Sequence, residues 1–211
     1  MKIQIRQQPF EDLQPEAVVV FRRGGTAINL PAGRIPADVK KQCKRSAGDE
    51  KLGTASAIPH GSGASRRMWI VCGLDRSSLG LPGALFHAAS AAGRAATQAG
   101  VHSLCIPLAK QCKPDDAAVH NLAAGLEQGT YQFKTFKSGD KKKKQAAGLK
   151  DVVLSDADDA AALKKSLKTA EAIAAAVRAT RDVANLPANE ASPAFFAKTA
   201  RKLAKDRGLE C

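Results

Sequence analysis

The sequence has 211 residues, enough for one ordinary domain and an extension, and 44% of them are hydrophobic. This fraction suffices for a buried core, but only 4% are aromatic, so the core must consist mainly of Val, Ile, Leu and Ala. The net charge is +13, to which residues 1–110 contribute +8, residues 111–150 +4 and residues 151–211 +1. No apolar run approaches the roughly 18 residues of a membrane span, and the alternating start is unlike a signal peptide. The composition predicts a soluble protein and excludes a membrane partner.

The five cysteines are scattered and form no Cys-x-x-Cys pair. Cys72 and Cys105 lie in apolar runs, where buried free thiols are common. An odd number of unpaired cysteines favours a reducing compartment, so we expect a cytoplasmic protein. Ligand spacing for a metal site is absent. The expectation of reduced cysteines that form no metal site applies to all five of them: Cys43, Cys72, Cys105, Cys112 and Cys211.

Apolar and alternating runs predict strands along the first three quarters of the chain. They are residues 1–6, 17–21, 68–72, 101–108, 131–135 and 152–154. Residues 31–66 are rich in Gly, Pro, Ser and basic groups, and we expect short strands and loops there.

Helical stripes separate the later strands. One runs from Leu85 to a stop at Gly100, and another follows the acidic pair Asp115 and Asp116 and ends at Gly129. Ser155 is predicted to cap a third helix, whose apolar seam is formed by Leu163, Leu167, Ala170, Ala174 and Val177. Strand and helix therefore alternate from about residue 68, which predicts a mostly parallel sheet flanked by helices.

Residues 180–193 join two helical patterns. Pro187 ends the first helix, and Ser192 followed by Pro193 is typical of an N-cap with proline at the first helical position. Physics alone favours a plain helix-loop-helix joint here. The second helix is predicted to stop at Gly208, and it has an apolar face that its own domain does not cover.

The amino-acid sequence of this joint resembles the start of the catalytic domain in the leucyl aminopeptidase (cytosol aminopeptidase) family. The matching residues are Arg181, Asn185, Pro187, Asn189 and Pro193. Residues 129–138 resemble the family's Gly-x-Tyr-x-Phe-x-x-Tyr-Lys segment, with Phe136 in place of the usual tyrosine. Asp75 is a further departure, because a glycine is usual at that position.

The resemblance implies a macro-domain-like three-layer α/β sandwich with a mixed, mostly parallel sheet (residues 1–155). A linker helix (156–181) and the first helix of a missing catalytic domain (182–211) would follow. The full-length parent would be a metal-dependent aminopeptidase with two divalent metal ions, Mn or Zn, and would form a homo-hexamer that cleaves peptides. Its partner here would be its own C-terminal catalytic domain.

The sequence offers no catalytic and no metal-ligating residues for that reaction, because the family's carboxylate-rich motifs lie downstream of the joint. We therefore expect no cofactor in this fragment, no peptidase activity, and a structural or assembly role. His60, His87, His102 and His120 share no ligand spacing and are better explained by packing or surface positions.

Two other binding hypotheses remain. Lys141, Lys142, Lys143 and Lys144 could contact nucleic-acid phosphates, so a basic DNA-binding module is the alternative function, although such a run is usually a solvated loop. The glycine-rich stretch 59–65 could cradle a phosphate, but a turn explains it better, since no striped helix follows it directly. For the same reason, ADP-ribose binding by a macro-like fold has little support in the sequence.

Overall fold

The structure is a computed structural model that describes residues 1–23, 26–27, 32–45, 51–63, 66–74, 80–108, 115–133, 135–136 and 148–210. Its strands are β1 (Lys2–Ile5), β2 (Ala17–Arg23), β3 (Thr26–Ala27), β4 (Ala55–His60), β5 (Arg67–Gly73), β6 (Ser103–Pro107) and β7 (Asp151–Ser155). Its helices are α1 (Phe10–Leu13), α2 (Ala37–Arg45), α3 (Gly80–Gln98), α4 (Asp116–Thr130), α5 (Ala160–Ala184) and α6 (Pro193–Arg207), with a 3-10 turn at Ala32–Arg34.

The seven strands form one mixed sheet in the order β1-β7-β6-β2-β5-β4, with β3 paired to β2. Strands β1, β7, β6, β2 and β5 are mutually parallel, whereas β3 and β4 run antiparallel to their neighbours. The central strand β2 is apolar and buried almost throughout, as expected for a strand covered on both faces. The predicted mixed, mostly parallel α/β sheet is confirmed.

Helices cover both faces of this sheet, which gives three layers. On one face α3, α4 and the first half of α5 bury the larger apolar cluster, including Leu85, Leu122 and Leu167. On the other face a smaller cluster joins Phe10 of α1 and Val39 of α2 to Trp69 of β5. The helical layer on this second face consists of short elements, and it leaves room for a groove.

Helices α3 and α4 approach each other unusually closely, because glycine and alanine line their contact. A Cβ added at Gly125 would collide with the carbonyl oxygen of Phe86, and one at Gly129 would collide with that of Ser90. In the opposite direction, a Cβ at Gly93 would lie 3.2 Å from the carbonyl oxygen of Leu126. The missing side chains therefore set the distance between the two helices.

Three local predictions are wrong. Residues 37–45 form α2, where short strands and loops were expected. Residues 131–133 are not a strand, and Phe133 instead contacts Phe136, with ring centroids 5.9 Å apart. Ser155 ends β7 and does not cap α5; the cap is Asp159, whose Oδ1 accepts hydrogen bonds from the N–H groups of Ala161 and Ala162.

The chain divides into two compact units, Met1–Ala174 and Ala175–Cys211. In the first unit, Leu163, Leu167 and Ala170 of α5 join the core. The predicted seam continues to Val177, but that side chain is 48% exposed. The expected domain boundaries at residues 155 and 181 stay predictions.

The second unit confirms the predicted ends of α6. Ser192 Oγ accepts a hydrogen bond from the Phe195 N–H at 3.3 Å, Pro193 is the first helical residue, and Gly208 has a φ of 65°. Phe196 and Leu203 are 49% and 51% exposed. They are seven residues apart and therefore lie on the same side of α6. Across the described residues, the structure contains no helix with the length and apolar character needed to span a membrane.

The close helix contact yields a stability prediction. We expect Gly129→Ala to lower the free energy of unfolding by about 3 kcal/mol, because the new methyl group must displace the backbone of α3. The matched control is Gly148→Ala, where an added Cβ meets nothing within 4 Å. Urea unfolding followed by circular dichroism measures both. Equal stability of the two variants would contradict the close approach of α3 and α4.

Candidate functional site

A groove of about 630 Å³ lies on the second face of the sheet, within the first unit. Its walls come from α1, the segment before β2, the 3-10 turn, and the facing ends of β4 and β5. The lining residues are Phe10, Glu11, Gln14, Pro15, Glu16, Arg34, Pro36, His60, Arg66, Arg67 and Trp69. Its volume falls within the range of small-molecule sites.

Two buried aromatic rings form the floor of the groove. Phe10 and Trp69 are 2% and 3% exposed, and their rings meet edge to face with centroids 5.9 Å apart. The guanidinium groups of Arg34 and Arg67 lie 4.7 Å and 5.7 Å from the centroid of the Phe10 ring. Phe10 thus places two cations through cation–π contacts. The indole Nε1 of Trp69 has no hydrogen-bond partner among the described residues.

Arg34 is the hub of a network that connects three distant parts of the chain. It forms an ion pair with Glu11, and its Nη1 donates to Asp156 Oδ1 at 2.7 Å. Partial burial of Glu11 acts to raise the pKa of that carboxyl, but the hydrogen bond and charge of Arg34 outweigh it, so the pKa is lowered. The carboxylate of Glu11 in turn raises the pKa of Arg34, which stays charged.

The network continues into the end of β7 and the middle of β6. Ser155 Oγ donates to Asp156 Oδ2 at 2.6 Å and accepts from Cys105 Sγ at 3.2 Å. Burial raises the pKa of the Cys105 thiol to about 12. The buried Cys105 thiol therefore acts as a hydrogen-bond donor within the fold and is not an available nucleophile. Asp156 has a φ of 58°, a conformation that few residues other than Gly, Asn and Asp adopt.

His60 and Arg67 are directly paired residues of the antiparallel strands β4 and β5. His60 Nδ1 lies 2.7 Å from Asp38 Oδ2, and because a carboxylate only accepts, Nδ1 carries the hydrogen. The bond to His60 lowers the pKa of Asp38. Arg67 Nε donates to the carbonyl oxygen of Pro15 at 3.2 Å.

The joint residues span the end of α5, the loop after it and the start of α6, and none of them is among the residues that line the groove. Asn185 Nδ2 donates to the carbonyl oxygen of Arg181 at 2.7 Å, one helical turn earlier. The loop then closes with hydrogen bonds from the N–H groups of Glu190 and Ala191 to the carbonyl oxygen of Pro187. The role of Arg181, Asn185, Pro187, Asn189 and Pro193 as an interdomain joint stays a prediction.

The remaining sequence candidates separate in space. Lys141, Lys142, Lys143 and Lys144 lie outside the described residues. His87 belongs to α3, His120 to α4, and His102 precedes β6. In the part of the chain that the structure describes, no group of three or more His, Cys, Asp or Glu side chains is placed to hold a metal ion. The described His, Cys, Asp and Glu side chains therefore do not fit the pair of metal ions that the resemblance implies for the full-length parent.

Sequence reasoning missed Arg34, Glu11 and Arg67 as site residues. Arg34 and Asp156 are 122 positions apart, and no local pattern connects them. His60 and Arg67 carried a usable signal, since a glycine-rich stretch between two short apolar runs is typical of a hairpin connection.

Comparison with known proteins places the chain among peptidases. No family model matches the sequence. A curated relative from Burkholderia pseudomallei (strain 668), "Probable cytosol aminopeptidase", is 37% identical over 167 residues, or 77% of this chain and 33% of the relative. The protein of the same name from Burkholderia mallei (strain SAVP1) is 36% identical with the same coverage. The chain thus spans about a third of the length of the curated relatives it matches.

Solved structures share the fold. A mutant tomato leucine aminopeptidase superposes with a TM-score of 0.72 at 17% identity, covering 98% of this chain and 42% of that one. The bottromycin maturation enzyme BotP gives a TM-score of 0.68 at 23% identity, covering 93% of this chain and 38% of that one.

The sheet and its two helical layers define the N-terminal type of α/β domain found in leucine aminopeptidase. The chain belongs to the leucyl aminopeptidase (cytosol aminopeptidase) family and corresponds to its N-terminal portion. The predicted family resemblance of the chain is thereby confirmed. The names of these relatives give no support to the nucleic-acid-binding alternative.

The Arg34 network predicts a pH-dependent contribution to stability. We expect Arg34→Met to lower the free energy of unfolding at pH 7 by about 2 kcal/mol, since Asp156 and Glu11 lose their charged donor. Because the folded-state pKa of Glu11 is lowered from 4.5, its contribution is present above that pH and disappears as the pH falls through the folded value.

The difference in the free energy of unfolding between the original chain and Arg34→Met should therefore become smaller in acid. Urea unfolding at several pH values between pH 7 and pH 3 measures this difference. Arg6→Met is the control, because Arg6 hydrogen-bonds only the exposed side chain of Gln4 among the described side chains. A gap that stays constant in acid would contradict the assigned ion pair.

Proposed function

We propose that this chain is the N-terminal domain and joint of a two-metal leucyl aminopeptidase, a cytoplasmic hexamer that removes N-terminal residues from peptides. The observation that carries the proposal is the 37% identity over 167 residues to a cytosol aminopeptidase three times the aligned length. The metal ions, Mn or Zn, and the catalytic residues would come from the peptidase domain.

Metal dependence of the parent has one further support. The bottromycin maturation enzyme, which shares the fold, is also known in complex with Mn. In this chain the described residues offer no set of ligands for such an ion. The metal chemistry would therefore belong to a peptidase domain after the joint.

The role of this chain would be to pack against that peptidase domain. The apolar side chains Val177, Phe196, Leu203 and Leu209 of the second unit are 48–67% exposed. Large apolar side chains that are this exposed are candidates for an interaction surface. Phe196 and Leu203 share one side of α6, so a following domain would cover them together.

Activity measurements test this assignment. We expect the purified 211-residue chain to release no p-nitroaniline from leucyl p-nitroanilide with added Mn²⁺ or Zn²⁺, because its described residues hold no metal cluster. The cytosol aminopeptidase of Burkholderia pseudomallei is the positive control. Turnover that scales with the concentration of the chain would overturn the assignment of catalysis to another domain.

The coding sequence after Cys211 tests the parent itself. A reading frame that continues into a carboxylate-rich metal site would support a complete aminopeptidase, and a stop codon at that point would contradict it.

A further inference from the structure

Helix α2 is attached to the sheet through few of its side chains. It spans Ala37–Arg45 and packs against the edge strand β4. Among its described side chains only Val39 is buried, at 0% exposure, whereas Asp38, Lys41 and Gln42 are exposed. A helix of nine residues is too short to be stable by itself in water. The helical state of α2 therefore depends on its contacts with the sheet.

Two adjacent residues in the first turn of α2 make the described contacts. Val39 joins Ile35 and Ile58 in the smaller apolar cluster. Asp38 Oδ2 lies 2.7 Å from Nδ1 of His60, the last residue of β4. The side chains of this pair are 51% and 39% exposed, so solvent weakens their attraction. Asp38, Val39 and His60 together form the α2 clasp.

The α2 clasp also holds one wall of the groove. Pro36 and His60 both line the groove. The backbone N–H of Lys40 donates to the carbonyl oxygen of Pro36 at 2.9 Å, which connects Pro36 to the first turn of α2. The His60 ring is held through its Nδ1 by Asp38. Both wall residues are therefore released if α2 unfolds.

The opposite wall of the groove is held without α2. Arg34 is paired with Glu11 and Asp156. Arg67 Nε donates to the carbonyl oxygen of Pro15. None of these contacts involves a residue of α2. Since segments with few buried apolar contacts open locally at a lower free energy than core strands, α2 can open while the rest of the groove stays in place.

We propose that the α2 clasp is a conformational gate on the groove. In the closed state Val39 and the Asp38–His60 pair hold the wall. In the open state α2 unfolds locally while the seven-stranded sheet stays folded, and the release of Pro36 and His60 widens the groove on the side of β4. Segments that move when a ligand enters are drawn from the least stable parts of a fold. The gate lies within the unit Met1–Ala174 and is independent of any peptidase activity.

Amide hydrogen exchange of the full 211-residue chain, measured by NMR, tests the gate. The amide of Lys40 in α2 should be protected about a hundredfold less than the amide of Val20 in the central strand β2. In low, non-denaturing urea the exchange of Val20 should accelerate, whereas that of Lys40 should stay nearly constant, because local opening exposes little surface. The same urea dependence at both amides would show that α2 opens only with the whole domain, and would overturn the gate.

A pair of valine variants locates the apolar contact that closes the gate. Val39→Ala should speed exchange at Lys40 about tenfold, because it truncates the one buried side chain described in α2. Val177→Ala, at a side chain that is 48% exposed, is the matched control and should leave Lys40 unchanged. Equal acceleration by the two variants, or none by Val39→Ala, would contradict the closed state.

A double-mutant cycle tests the polar contact. Asp38→Ala and His60→Ala should each speed exchange at Lys40 about threefold, and the double variant should match Asp38→Ala, because one change already removes the pair. His60→Ala leaves the sequence of α2 unchanged, so its effect does not come from the charge of Asp38 near the helix N-terminus. Additive effects of the two changes, or no effect of His60→Ala, would each overturn the assigned clasp.

Discussion

The close contact of α3 with α4 is the constraint on which the rest of the domain depends. The aromatic content of the chain is 4%, so few large rings are available to fill a wide space between helices and sheet. Gly125 and Gly129 instead let the backbone of α4 approach the carbonyl groups of α3. The alanines of α3 then lie within reach of both α4 and strands β4 and β5. Close packing compensates for small side chains, because dispersion contacts decay steeply with distance.

The opposite face of the sheet is organised differently. There the covering elements are short, and polar contacts connect them: Arg34 joins α1 to the end of β7 through Glu11 and Asp156. A charged hub can hold a thin layer that buries little apolar area, provided each charge is paired. Arg67 also belongs to this layer, because its charge helps to lower the pKa of Glu11 and its guanidinium lies 5.7 Å from the centroid of the Phe10 ring.

The sequence allowed most of the sheet to be predicted. The buried strands β2, β5, β6 and β7 are continuous apolar runs, and their alternation with helical stripes indicated parallel pairing. Helix α2 was missed because its described core contact is one side chain, Val39, on an otherwise polar segment. The alternation at residues 131–135 suggested a strand, but the Phe133 ring packs against the nearby Phe136 ring and not against the sheet core.

The groove could not be predicted for a related reason. Its lining residues come from four separate segments of the chain, and only the three-dimensional fold brings these segments together. Ser155 shows the same effect on a smaller scale: as the last residue of β7 it binds Cys105 and Asp156, so Asp159 caps α5 in its place. A serine that local sequence predicts as a helix cap does not act as one when it already belongs to a buried strand and its hydroxyl group is used in tertiary contacts.

The two buried thiols have a practical consequence. Cys72 and Cys105 are fully inaccessible, so an alkylating reagent cannot reach either sulfur atom while the sheet is intact. Burial also raises the pKa of both thiols, so neither side chain supplies the reactive thiolate. Each thiol becomes reactive only when its own strand, β5 or β6, is released. Among the cysteine side chains that the structure describes, these two lie on either side of β2, so their separate alkylation rates report the order in which β5 and β6 are released.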